Sequence, residues 1–264
     1  MKITAINKYP VKSLKGASLR SAVIDDFGIK HDRRWMLVDA DGRFVTQRKH
    51  PVMGTIAVEE CDESLVFTTV NGQVLTVSTE DFTQSQKTCV WGDDVNALVA
   101  GPVASAWFSE LLGMQVNLAY MPESSFRQVD REFADYSQRV SYVDGFPFLL
   151  TTEASLQDLN EKLDTKVSMT RFRPNLVVSG AQAFEEDKWK RIRVGEVEFD
   201  VVKPCSRCIM TTIDEQSLKY GKEPLKTLSS YRRNEYGVCF GQNLVHRGQG
   251  SIELGDEVEV LEWI

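Results

Sequence analysis

Apolar and polar residues alternate at the very start of the chain, in ITAINK, and the run breaks at Pro10. That pattern predicts a first strand feeding a loop that carries Lys12, Ser13, Lys15 and Gly16. The two-residue period returns in WMLVDADGRFVTQ, where Asp41 and Gly42 divide two apolar runs, and in VFTTV and QVLTV, divided by Asn71 and Gly72. Both read as hairpins, and Asn-Gly is the stronger signal because both central residues of a type I′ turn need positive φ. The first hundred residues are therefore expected to be β-rich. At Pro102 the period changes. VASAWFSELL sets Val103, Trp107 and Leu111 on one helical face, with Pro102 suited to a first turn and Gly113 to the cap that ends it. This helix marks the expected junction between a domain at residues 1–100 and one at 101–264.

Beyond it, Pro122 to Gly145 is polar and weakly patterned, and reads as a long loop placed to cover a site. TTEASLQDLNEKL predicts a second helix that buries Leu156, Leu159 and Leu163, with Thr151 or Thr152 as its cap. In RFRPNLVVSG, Pro174 is expected to hold Arg173 extended, and Arg171, Arg173 and Asn175 lead into an apolar strand. Arginines fixed in this way offer a fork to phosphate or carboxylate. RIRVGEVEFDVV alternates across a turn at Gly195, and SIELGDEVEVLEW repeats the pattern around Gly255 and Asp256. The whole reads as a mainly β, α+β chain with a few helices.

Composition bounds the function. The 264 residues are 42% hydrophobic and 26% charged, enough to bury one large core or two small ones. A net charge of −7 argues against a general nucleic-acid binder, which needs a basic face. No internal repeat, Walker loop or G-x-G-x-x-G is present. Five cysteines, no secretory apolar region and no bilayer-length apolar run point to a reducing, cytoplasmic setting without membrane.

The richest chemistry lies in VVKPCSRCIMTTID, Val201 to Asp214. Lys203 and Arg207 flank Cys205 and Cys208, and nearby cations favour the thiolate that acts as nucleophile or soft-metal ligand. The spacing leaves several readings open. A closed zinc site needs further ligands, yet Cys61, Cys89, Cys239, His31, His50 and His246 are all solitary in sequence. A redox dithiol sits where a strand gives way to a helix, whereas IMTTID reads as extended. Two small buried cysteines in a β-rich core, or a single thiolate ligand, complete the set.

Taken together, YPVKSLKG, DRRW at Asp32 to Trp35, FRPNLVVSGA, KPCSRCIMTTID, KEPLKTLSSYR, FGQN and LGDEVEVL resemble MOSC-domain proteins with an N-terminal MOSC barrel. The resemblance spans nearly the whole chain. It is strongest toward bacterial proteins that detoxify N-hydroxylated bases and toward mitochondrial amidoxime-reducing components. It implies two β-barrel-like lobes, the C-terminal one a MOSC domain, clasping a molybdopterin-type molybdenum cofactor. By the same resemblance Cys208 is the molybdenum ligand and catalytic residue. Lys12, Ser13, Arg33 and Arg173 hold the pterin phosphate, while Asn175, Ser206, Arg207 and Asn243 line the rest. The hydroxyl pair that relatives place before the PF dipeptide is here Gly145 and Phe146, so that part of the pocket carries no assignment. The implied reaction is reduction of a hydroxylamine, hydroxamidine or N-hydroxylated base. No plant-type C-x4-C-x2-C run is legible, so electrons are expected from a separate flavin or ferredoxin type reductase. The alternative function is a module that carries the cofactor or transfers sulfur to it.

Overall fold

In a computed structural model, which describes residues 1–134 and 138–264, the opening strand Lys2–Lys8 buries Ile3 and Ile6 on one face. Its partners lie far along the chain. It runs antiparallel to Leu176–Ser179, with Lys2 opposite Ser179 and Ile6 opposite Leu176. The resulting sheet is ordered Val258–Trp263, Trp189–Val194, Val197–Ser206, Gly237–His246, Phe148–Thr152, Leu176–Ser179, Lys2–Lys8 and Ala17–Leu19, with Arg233–Asn234 beside Gly237–His246. Ser21–Asp25 pairs with Gly250–Glu253. The polypeptide thus enters the second lobe before it builds the first. The core beneath these strands includes Ile3, Ile6, Phe148, Trp189 and Phe199, each at most 1% exposed. Burying such a side chain stabilises the fold by about 1.5–3 kcal/mol.

The other lobe pairs Trp35–Asp39 with Val116–Tyr120, then Asp93–Val99 and Gln84–Val90, alongside a meander of Ala57–Cys61, Ser64–Thr68 and Val74–Ser78. At the meander's second turn only Gly72 has positive φ. Thr69 N–H donates to Gln73 O and Gly72 N–H donates to Thr69 O, both at 3.0 Å. The connection is therefore longer than the expected two-residue type I′ turn, with Gly72 taking the left-handed position alone. After Gly42 the chain turns back on Trp35–Asp39 as expected: Asp39 N–H donates to Arg43 O at 2.9 Å and Val45 N–H to Leu37 O at 2.8 Å, around a bridge of Phe44 to Val38, while Arg43 also bridges Cys89. Helix Pro102–Leu112 starts and ends as expected, with Gly113 left-handed at φ 65°. Its buried face differs from the expected one: Ala104 and Phe108 are buried, Trp107 and Leu111 are half-buried, and Val103 is 72% exposed. The strand Val116–Tyr120 packs against this helix, its Val116 and Leu118 sharing one core with Ala104 and Phe108.

In helix Glu153–Glu161 the cap is Thr152, whose side chain accepts from Ser155 N–H. The tail does not form a hairpin at Gly255, since Gly250–Glu253 joins Ser21–Asp25 while Val258–Trp263 joins Trp189–Val194. Two local expectations are corrected near the cysteines. Ile209–Thr212 is a 3-10 turn, held because Thr211 and Thr212 hydroxyls donate back to the carbonyls of Cys208 (3.1 Å) and Ile209 (2.8 Å). Arg173 is left-handed (φ 54°, ψ 46°), closing the turn Met169–Phe172 with its N–H on Thr170 O. The following proline disfavours right-handed helix at Arg173, and a left-handed cap satisfies that restriction as an extended residue would. Among the described residues no helix is long and apolar enough to cross a membrane.

Candidate functional site between the lobes

Backbone pairing brings three distant segments together at the lobe junction. Arg33 N–H donates to Tyr9 O, Lys12 N–H to Trp35 O, and Tyr142 N–H to Arg33 O, at 2.8, 2.8 and 2.9 Å. Lys12, Ser13, Arg33, Arg173, Asn175, Ser206, Arg207, Cys208 and Asn243, dispersed in sequence, all face one cavity of about 360 Å³. Gly145 and Phe146 are on its wall as well. Seven cationic side chains line it against two carboxylates, Asp130 and Asp144, in a chain whose net charge is −7. Such a cavity attracts an anion. Ser13, Arg33 and Arg173 also hold positive φ, at 70°, 49° and 54°. Left-handed backbone at non-glycine residues costs on the order of 1 kcal/mol each and clusters at functional sites.

The guanidinium of Arg33 is positioned by a buried network. It donates to Asp32 Oδ2 at 2.5 Å and to Asn175 Oδ1 at 3.2 Å. Asn175, 2% exposed, also accepts from Leu149 N–H and donates to Asn7 O and Asp32 Oδ2. Its amide has no hydrogen-bonding capacity left, so Asn175 serves the site by fixing Arg33. Asp32 Oδ1 in turn accepts from Tyr9 N–H at 2.7 Å. The Tyr9 ring lies 4.2 Å from both the Arg33 and Arg173 guanidinium carbons. Burial, reinforced by Arg33, pushes Arg173 down to about 10.

Lys12, 6% exposed, donates to Asp144 Oδ1 at 2.6 Å and Tyr142 O at 2.7 Å. One of its three N–H groups remains for a ligand. Burial pushes the Lys12 ammonium down against the pull of Asp144. The Asp144 side chain lies within the molecular envelope but is 75% accessible because it faces the open cavity. Burial would raise its carboxyl; Lys12 and the Trp91 indole N–H, 3.0 Å away, outweigh that and hold it well below the usual carboxylate range.

The two cysteines are not equivalent. Arg207 donates to Cys205 Sγ at 2.9 Å and to Phe172 O at 2.7 Å. Its Nε–H is buried with no partner among the described residues. Lys203 is directed elsewhere, 4.4 Å from the Phe133 ring centre. Cys208 is exposed on the cavity wall, and among the described residues no side chain donates to its sulfur. No cluster of three or more His, Cys, Asp or Glu side chains suited to a metal occurs among the described residues.

Two family models match the chain, the MOSC N-terminal beta barrel domain at residues 1–115 and the MOSC domain at residues 137–259. Mitochondrial amidoxime-reducing component 1 of Mus musculus is 35% identical, over 96% of this chain and 80% of its own length. The chain belongs to the MOSC family. The Homo sapiens amidoxime-reducing component 1 is 34% identical over the same 96% of the chain. The molybdenum cofactor sulfurase of Oryza sativa subsp. japonica is 32% identical, over 88% of this chain and 31% of that protein.

In this MOSC protein several cavity groups escape a reading of the sequence. Asp144 lies 132 residues from Lys12, and nothing local marks the pair. Arg48, on the cavity wall with its Nε–H buried and unpartnered among the described residues, sits in an ordinary charged turn of the sequence. Asp32 was visible within DRRW, but its function as anchor for Arg33 depends on contacts formed only on folding.

Proposed function

We propose that this MOSC protein holds a molybdenum-pterin cofactor between its lobes and reduces N-hydroxylated compounds with electrons from a separate donor. The observation that carries the reading is an exposed, unencumbered thiol, Cys208, on a cavity whose cations outnumber its carboxylates seven to two. The residues fit such a group. A soft thiolate suits a metal already bound by sulfur. Arg33, Arg173, Ser13 and the free N–H of Lys12 converge as donors for a phosphate, and charge-assisted bonds of this kind are the strong ones. The buried, unpartnered Nε–H groups of Arg48 and Arg207 await an acceptor. The relatives' names, amidoxime-reducing components and a molybdenum cofactor sulfurase, agree with the reading.

When bound, the cofactor would supply two-electron chemistry that, with two protons, converts a hydroxylamino group to an amine and water. The chain's own contribution is to hold and orient. Arg207 fixes Cys205 and leaves Cys208 free, Asn175 and Asp32 fix Arg33, and Lys12 keeps Asp144 ionised at the cavity face. The likeness to the sulfurase favours a second reading, in which the chain carries the cofactor or passes sulfur to it.

The test is turnover of a hydroxylamine or an N-hydroxylated purine by molybdenum-loaded protein, with Cys208→Ala as the blank. NADH or NADPH alone should give no reaction, and reduced viologen should give amine. No turnover above the blank with any donor, together with delivery of the cofactor to an apo-enzyme, would establish the carrier instead.

A further inference from the structure

Beside the main cavity, and sharing Thr46 and Arg48 with it, lies a second cavity of about 470 Å³. Its wall is an aromatic and cationic layer. Phe44 packs on Trp91 with ring centres 4.9 Å apart, and the Arg48 guanidinium lies 4.6 Å from the Trp91 ring centre. The Lys12 ammonium, from the main cavity, is 5.6 Å and 5.9 Å from the same two rings. Trp91 is 45% exposed yet held firmly: its backbone is left-handed at φ 55°, and its indole N–H donates to Asp144. An exposed aromatic fixed in this way is a rigid anchor that a ligand can meet with little ordering cost.

We propose that this second cavity is a vestibule that binds the flat ring of a heteroaromatic N-hydroxylated substrate in the Trp91 and Arg48 layer. The N-hydroxylated substituent would then point past Asp144 into the cavity that contains Cys208. The proposal rests on the reductase reading above and deepens it by assigning ring recognition to an aromatic layer beside the cofactor cavity, with Arg48 shared between the two cavities. Aromatic and guanidinium planes both stack on heterocyclic bases. Arg48 lies on the wall of both cavities and sets its guanidinium beside the Trp91 ring, where its plane can extend the stacking layer. Charge also suits an electron-rich ring. Arg43, Arg48 and Lys49 line the vestibule, while its carboxylate, Asp39, already accepts from the N–H groups of Asp41 and Arg43.

Two measurements test this. In the first, kcat/KM is compared for an N-hydroxylated purine and for hydroxylamine, which has no ring. Stacking of a base on an aromatic side chain corresponds to roughly five- to hundredfold. Trp91→Ala should therefore lower the purine-to-hydroxylamine ratio by about tenfold or more, and Trp91→Phe should restore most of it. A ratio unchanged in Trp91→Ala, or unrestored by Trp91→Phe, overturns the proposal. The second needs no turnover: adenine, the amine that reduction of its N-hydroxy derivative would give, is titrated calorimetrically into wild type and both variants. Weaker adenine binding in Trp91→Ala than in Trp91→Phe supports the vestibule even if neither substrate is reduced, which would refute the reductase reading alone. Equal adenine binding in all three proteins overturns it.

Discussion

Arg173 offers a case where a site residue and the fold pull in opposite directions. Burial lowers its guanidinium from 12.5 to about 10, so below that pH the group stays charged, at a cost to the folded chain relative to the unfolded one. The difference corresponds to about 3 kcal/mol if fully buried. Water in the open cavity screens roughly half of this, and the Tyr9 ring returns about 0.5–1 kcal/mol as a cation–π contact. Arg173→Gln, a shorter side chain that removes the charge and keeps a polar, unbranched stem, should therefore stabilise the ligand-free protein by roughly 1 kcal/mol, or about 2 °C in Tm. Anion binding should move the other way. Inorganic phosphate at a hundred times the wild-type Kd adds about 2.7 kcal/mol to wild-type stability, and a tenfold weaker site adds only about 1.4 kcal/mol. Urea unfolding with and without phosphate at matched ionic strength measures both effects. A variant less stable than wild type without phosphate, or one that gains as much from it, would refute the reasoning.

Asn175→Ala removes four hydrogen bonds around Asp32 and Arg33, and should cost about 2–4 kcal/mol in urea unfolding while leaving Arg33 mispositioned. Burial raises Glu186 to about 7 from 4.5, where it accepts from Ser155 and Thr152 hydroxyls. Its contribution to stability is thus full below about pH 4.5 and lost as pH rises through about 7. Glu186→Gln should stabilise the protein by up to about 3 kcal/mol above pH 8, change little near pH 4.5, and flatten the stability profile between them. Cys208→Ala should unfold at the wild-type midpoint, because the sulfur has no protein partner among the described residues.

The chain's local order was legible where it depends on neighbours in sequence: the strand before Pro10, the Pro102 helix with its Gly113 cap, the Thr152 cap and the Gly195 turn. What depends on distant partners was not. Nothing in ITAINK shows that Lys2–Lys8 pairs with Leu176–Ser179, and nothing in LGDEVEVL shows that the strands on either side join different sheets. IMTTID misleads because threonine favours strands by its branching, yet its hydroxyl can close a tight turn on the preceding carbonyls. At the site, the cations were legible as residues, but their left-handed backbone, the Asp32–Asn175 network and the Lys12–Asp144 pair emerge only from the assembled lobes. Spacing left Cys205 and Cys208 equal; the Arg207 hydrogen bond to Cys205 separates them.

The most direct test of that separation is molybdenum content, read by mass spectrometry alongside pterin fluorescence, in protein expressed in a cofactor-producing host. Wild type and Cys205→Ala should retain both metal and pterin, whereas Cys208→Ala should lose the metal. Molybdenum-free wild type, or equal loss in the two variants, would contradict the assignment of Cys208 as the ligand.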